Sequence, residues 1–526
     1  MKKTVLSLFV IALSLFLTAC AVNNSTDNAA SNDDSSNDDV LNVGLSSNAE
    51  TLDPILYTGV YESQIMRSIG DTLLEYDQDL EDFVPSLATD WEVSDDNKSY
   101  TFELRDDVHF QPGEYQDGEK MDAEDVKFSL ERSSEESAED RLTGVEDVEV
   151  IDDYEVKINL EEPNSALLAM LTDSGNMIVP KEEVEGWGDE FGSHVIGTGP
   201  FILDDWKTDQ QVNLTKNEDY WGEDPNLESV VFKFITDDST MGNSLRSGDL
   251  DIATDITGEN REIIEEDEDL ELLTTPGLQL NYLDMNYQEG PTSDPKVREA
   301  ITKATDKEAI VDGIYQFGGG VVAHGPIPDS SWGYDDSLEE VDAEYDPKEA
   351  KKILDETEYA GGFETDLYVL ESRSRYAEIF QQQMKENLDI DVNIEISEWG
   401  TLTDVIASNE APMNIGGWSW YPDPYFFLNT RFHSNQHGSN GNGKGYESDK
   451  VDELLNEAKS KTTDQDKRSE LYKEAAEEIM NDYGSIEFDY EEIAFGVNSK
   501  VKGFNLNADQ SLYIVSPDGT NIELED

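Results

Sequence analysis

Apolar residues along this chain recur with two periods, and the change between them divides it. Leu41 to Leu45 is a short apolar run ended by Leu52-Asp53-Pro54, where a proline without an N–H cannot continue a ladder, so it predicts a strand. Tyr100-Thr101-Phe102-Glu103-Leu104 alternates with period two, as a half-buried strand does. Val148 to Ile151 and Tyr154 to Leu160, joined at Asp152-Asp153, read as a hairpin with Val156, Ile158 and Leu160 on one face. Val230 to Ile235 is a more fully buried strand that leads to a helix ending at Gly248, and Asp249-Leu250-Asp251-Ile252 turns into another strand. In the second half the period lengthens. Val297, Ala300, Ile301 and Ala304 fall at i, i+3, i+4 and i+7, and Asp306 caps a helix whose inner face is Ile310, Val311 and Ile314. Ser448 is the expected cap for Val451, Leu454, Leu455 and Ala458, and Asp464 opens a long helix through Leu471, Ala475 and Ile479. With no short-period repeat, the pattern predicts an α/β protein whose strands come from distant parts of the chain.

The N-terminus follows different rules. Lys2 and Lys3 precede an apolar run from Val5 to Leu17, then Leu17-Thr18-Ala19-Cys20. At about 13 residues the run is short of the roughly 20 that span a bilayer, so residues 1–19 are expected to be a secretory signal. Leu-Thr-Ala-Cys resembles a bacterial lipobox, which makes Cys20 the lipidation site of an exported protein held at the outer face of the cytoplasmic membrane. Cys20 is the only cysteine, so no internal disulfide is possible. From there to Asp39 the chain is almost all Asn, Ser, Asp, Thr and Ala, which predicts a disordered tether over residues 20–39, with a typical reach of roughly 25 Å.

Composition narrows the partners. Against 36 Lys plus Arg stand 119 Asp plus Glu, a net charge of −83. Nucleic acid is excluded as a partner, since phosphate binding needs clustered cations, and an anionic membrane surface would repel the body, leaving the lipid as the membrane contact. The acids are spread in pairs such as Asp95-Asp96, Glu135-Glu136 and Glu265-Glu266, which describes a solvated surface and suits a saline or alkaline habitat. With 22 Tyr, 19 Phe and 8 Trp the chain is nevertheless rich enough to fold, and long enough for two or three domains.

Catalysis finds no support in the residues. Cys20 is committed to lipid, there is no Gly-x-Ser-x-Gly and no His-Glu-x-x-His, and the histidines at 109, 194, 324, 433 and 437 are scattered. His433 and His437 are expected in a surface loop and not at a metal, and Gly318-Gly319-Gly320 in a turn. No enzyme, cofactor or metal is expected.

Several local patterns occur in one order: Leu52-Asp53-Pro54, Pro85-Ser86-Leu87-Ala88-Thr89-Asp90-Trp91, Asp122-Ala123-Glu124-Asp125-Val126, Gly197-Thr198-Gly199-Pro200-Phe201, Tyr220-Trp221, Gly248-Asp249-Leu250-Asp251 and Asp294-Pro295-Lys296-Val297-Arg298-Glu299-Ala300-Ile301. On these, over roughly residues 40 to 500, the chain resembles the extracellular solute-binding proteins of family 5, the peptide-binding subunits of bacterial ABC importers. The resemblance implies a two-lobed periplasmic-binding-protein-like α/β fold of type II, hinged around a central cleft. One lobe would comprise 40–75, 196–285 and 487–526, with an extra domain inserted at 76–195 and the other lobe at 286–486. It also implies a monomeric partner of permease subunits and their cytoplasmic ATPases, delivering a peptide.

The segment Gly416-Gly417-Trp418-Ser419-Trp420-Tyr421-Pro422-Asp423-Pro424 stands out, because clustered aromatics after a Gly-Gly and before Pro-Asp-Pro suit a strand end that opens on a ligand. In the peptide-binding members such a strand lines the ligand and an Asp shortly after it holds the α-amino group. By that correspondence Gly417, Trp418 and Ser419 line the ligand, Trp399 is a wall aromatic, and Thr58, Gly59 and Val60 pair with its backbone from across the cleft. Here Trp420 and Tyr421 stand where the pattern places the Asp, with one residue fewer, and Asp423 is the nearest carboxylate. An oligosaccharide, a nickel chelate or another small nutrient therefore stays open beside a peptide.

Overall fold

The computed structural model describes residues 39–438 and 441–525; the expected signal, Cys20 and the tether up to residue 38 lie outside them. Its centre is an 11-stranded mixed sheet. In spatial order the strands are Asp391–Ile396, Glu364–Val369, Met413–Trp418, Leu270–Met285, Ile486–Asn498, Ile252–Ala253, Val40–Leu45, Ser229–Phe234, Gln211–Lys216 and Phe201–Lys207, with Gly320–Val322 added against Ile486–Asn498. Val40–Leu45 lies parallel between Ser229–Phe234 and Ile252–Ala253, which accounts for its nearly continuous burial.

Two strands join the halves of this sheet. Leu270–Met285 is 16 residues long and Ile486–Asn498 is 13, and they pair antiparallel from Leu270↔Asn498 to Leu283↔Ile486. Ladder pairing is irregular between Pro276 and Leu280 and again between Asn281 and Tyr282. Pro276 brings no N–H to the ladder, which accounts for the break in pairing just after it.

A separate four-stranded antiparallel sheet, Ala88–Val93, Ser99–Leu104, Glu155–Leu160 and Val145–Asp152, is covered by the helix Ala123–Glu136. The helix starts at a capping box, in which Asp122 accepts from the backbone and Asp125 reaches back to the Asp122 N–H. Tyr100, Phe102, Val126, Leu130, Val156 and Ile158 form its buried core. Core membership does not follow the chain strictly: Leu73 and Leu74 pack here, whereas Met177, Val179, Val184, Phe191 and Val195 pack with Val43, Phe232 and Phe495 of the large sheet. The remaining lobe has its own core around Leu283, Met413, Phe380 and Phe488.

On its way to the strand Phe201–Lys207 the chain passes close against Ile69 and Gly70 at Gly197-Thr198-Gly199. A Cβ at Gly197 would stand 2.6 Å from the Ile69 carbonyl oxygen and one at Gly199 2.5 Å from the Ile69 carbonyl carbon, so only glycine lets the strands of chain pass. Gln111 Nε2 then donates to the carbonyls of Ile69, Gly199 and Phe201. Among the described residues no helix is long and apolar enough to cross a membrane, and no group of three or more His, Cys, Asp or Glu is placed to hold a metal ion.

Candidate ligand cleft

Several parts of the chain, Asp509 and Ser511 near its end included, meet around a cavity of about 240 Å³. Thr58, Gly59 and Val60 come from the start of the helix Val60–Ile69, Arg141 and Asp173 from the segments on either side of the hairpin Val145–Leu160, and Trp420, Tyr421 and Pro422 from just past the strand Met413–Trp418. The loop before Thr58 is pinned by Asp53, whose carboxylate accepts both terminal nitrogens of Arg132 at 2.8 and 2.7 Å. Asp173 turns one oxygen inward: Oδ1 accepts from Tyr57 Oη at 2.7 Å, Arg141 Nε at 3.0 Å and the Gly175 N–H at 2.7 Å. Burial first, and then the nearby Asp173 carboxylate, pushes the Tyr421 hydroxyl well above the ordinary tyrosine range.

A second cavity, about 470 Å³, adjoins the first through Glu139, Arg141, Trp420 and Tyr421 and is walled by Trp418, Tyr425 and Phe426. Gly417 and Trp418 end the strand Met413–Trp418, opposite Asn281 and Leu280. Trp418 is half-buried, and its Nε1–H donates to the Phe426 carbonyl at 3.0 Å, so its polar edge is used within the protein. Trp420 stacks between Trp418 and Phe426 at ring separations of 6.1 and 6.2 Å and remains 38% exposed, offering an open edge to the cleft.

Of the expected site residues, Trp399, Gly417, Ser419 and Asp423 line none of these cavities. Trp399 opens the helix Trp399–Ala407, is 64% exposed and lines none of these cavities. Asp423 is fully buried: Oδ1 caps the helix Pro424–Phe432 through the Tyr425 N–H at 2.9 Å, and Oδ2 accepts Arg468 Nη2 at 2.6 Å. Both oxygens are spent, so Asp423 is not open to a ligand amine. Ser419 is exposed just past the paired end of its strand. His433 also departs from expectation. It is buried, its Nδ1 accepts the Asn435 N–H and its Nε2 meets Asn456 at 2.9 Å.

Other cleft residues gave no short-range signal in the sequence. Tyr57, Arg141 and Asp173 reach the cavity from positions that no motif marked. Arg373 might have been flagged by scarcity, being one of 36 cations in so acidic a chain. It lies over the bare backbone of Gly417, where a Cβ would collide with its guanidinium. Its Nε donates to Asn281 Oδ1 at 2.9 Å, and among the described residues it makes no ion pair. Gln279, beside it, lines a further cavity of about 460 Å³ with Arg261, Tyr315 and Glu491 at the crossing strands; Gln510 lines that cavity and its neighbour Asp509 the first.

Residues 82–440 match the family model described as bacterial extracellular solute-binding proteins, family 5 Middle. The chain belongs to this family. It is 29% identical over 482 residues to the probable D,D-dipeptide-binding periplasmic protein of Escherichia coli, covering 89% of this chain and 92% of that one. Among solved structures, HbpA2 from Haemophilus parasuis superposes with a TM-score of 0.85 at 27% identity, over 93% of this chain and 100% of that one. The periplasmic binding protein DppA from Helicobacter pylori, in complex with the peptide STSA, gives 0.73 at 28% identity, over 93% and 98%. Family 5 proteins are extracytoplasmic binding proteins of transport systems and not enzymes, and this chain shares their two-lobed α/β fold.

Proposed function

We propose that this protein is the peptide-capturing lipoprotein of an ABC importer, which closes its lobes on a short peptide and presents it to membrane permeases driven by cytoplasmic ATPases. The observation that carries the reading is the cavity walled at once by Thr58–Val60, by Asp173 and by Trp420–Tyr421. A ligand touching all three stabilises the closed form by its differential affinity, and no bond need be made or broken. The dipeptide and peptide ligands of its relatives support the same class. The backbone around Thr58, Gly59 and Val60 and the strand end at Gly417–Ser419 face the ligand's main chain, and Trp420 receives a side chain.

The ammonium of the peptide meets Asp173, not Asp423. Asp173 lines the cavity with Glu139 and Asp509 against Arg67 and Arg141, three carboxylates to two guanidiniums. Arg373 takes an anionic group at the other end. The division into 40–75, 196–285 and 487–526, with 76–195 inserted and 286–486 opposite, supplies the hinge. Cys20 carries the lipid and the segment after it the slack, and the protein acts as a monomer. Native mass spectrometry of the purified protein tests this: a bound mass that fragments as a short peptide is expected, whereas an oligosaccharide or a metal chelate in its place overturns the peptide assignment.

A further inference from the structure

Asn281 sits where three strands meet, opposite Gly417 on one side and Asp489 on the other. It is 1% exposed. Its amide nitrogen donates twice, to Asp489 Oδ2 at 3.1 Å and to Glu491 Oε1 at 3.2 Å. An amide has two N–H donors and one acceptor oxygen. With both donors drawn to carboxylates, the oxygen is left facing the other way, where it accepts Arg373 Nε–H at 2.9 Å. Carboxylates cannot donate, so flipping the amide would set its oxygen against two acceptors and lose the guanidinium as well. Asp489 is itself held, Oδ2 accepting from Tyr315 Oη at 2.9 Å and Tyr376 Oη at 3.1 Å. Fastened by Nε alone, Arg373 keeps its two terminal nitrogens for another acceptor, and Gly417 gives them room.

We infer that Asn281, clamped by Asp489 and Glu491, is a positioning residue that aims Arg373 at a carboxylate of the bound ligand. The inference rests on the peptide reading above. Asparagine suits the place because an aspartate would neutralise Arg373 and add a third carboxylate to Asp489 and Glu491. A leucine would fill the volume yet take one donor from each carboxylate, leaving Asp489 only Tyr315 and Tyr376, and the guanidinium unheld.

The test compares the dipeptide Ala-Phe with its C-terminal amide by calorimetry. The wild-type protein is expected to prefer the free acid by roughly 30-fold, the scale of one charge-assisted hydrogen-bonded pair. Asn281→Leu should bring that ratio close to one, with the loss falling on the free acid; a general loss of packing would weaken both forms alike. A second measurement needs no folded variant at position 281. In the wild-type protein, the NMR signal of Arg373 Nε–H, assigned against Arg373→Lys, should exchange at least about tenfold more slowly than that of exposed Arg375. An unprotected Nε–H, an undiminished ratio in Asn281→Leu, or equal affinity of wild type for acid and amide overturns the inference alone. Failure of the wild type to bind either form overturns the peptide reading and this inference with it.

Discussion

The loop at Asp423 and the crossing strands at Asp489 each bury a carboxylate completely, and they use it in opposite ways. Asp423 is satisfied on both oxygens, by a helix N-terminus and by Arg468, itself 3% exposed. Among the described residues Asp489 makes no ion pair: Oδ2 collects three neutral donors and Oδ1 has no partner. The first is a fixed structural pin that positions Trp420 and Tyr421 three and two residues upstream. The second stands on the long crossing strands, where an incompletely compensated charge is costly to the fold and useful to a site. Burial alone therefore does not tell what an acidic residue does; its donors do.

The largest effect should come from breaking the pin. Asp423→Ala leaves Arg468 buried without its carboxylate, and unfolding in urea should show a loss of about 3–5 kcal/mol. If the loss is under about 1 kcal/mol, the contrast between the two carboxylates fails.

Asp489 should respond with the opposite sign. Burial raises its carboxyl from the usual 3.8 to about 6; donors from Asn281, Tyr315 and Tyr376 oppose the rise and Glu491 adds to it. The folded state thus holds a proton that the unfolded chain releases. The stability this contributes is full below about pH 4 and is lost as pH rises through about 6. Asp489→Asn should remove that dependence, raising stability by about 2 kcal/mol at pH 8 and by little at pH 4. Thermal unfolding at the two pH values checks it; an equal change at both would assign the effect to packing.

The same contrast between committed and open groups runs through the aromatics. Trp418 spends its indole N–H on Phe426, whereas Trp420 is stacked yet open at its edge. Trp420→Ala should weaken ligand binding about tenfold, near 1.4 kcal/mol, with little change in the melting temperature. Trp399→Ala, at a position 64% exposed and outside the cavities, is expected to shift stability and affinity by less than about 0.5 kcal/mol each.

Much of the fold was legible because short-range signals were obeyed. The alternation at Tyr100–Leu104 became the strand Ser99–Leu104, and the run at Val230–Ile235 became Ser229–Phe234. Asp306, Ser448 and Asp464 each cap the expected helix, and Gly248 ends its helix in the left-handed conformation at φ 78°. The site was legible only where one segment carries it. Thr58–Val60 and Trp420–Tyr421 do share a cavity, but Asp423 read as a free carboxylate because its partner Arg468 comes 45 residues later. His433 read as a loop residue for the same reason, its contacts being Asp452 and Asn456 of a later helix.

By itself, then, the sequence determined the strands, the caps and the charge, and picked out Trp420 and Tyr421, which line a cavity, since each depends on residues a few positions apart. Which acid is locked and which is poised, and which cation stays free, was decided by tertiary structure. Hydrogen-bond donors and counter-charges arrive from parts of the chain as distant as Asn281 and Asp489, 208 residues apart, and in a low-dielectric interior those partners set what a buried polar group can do.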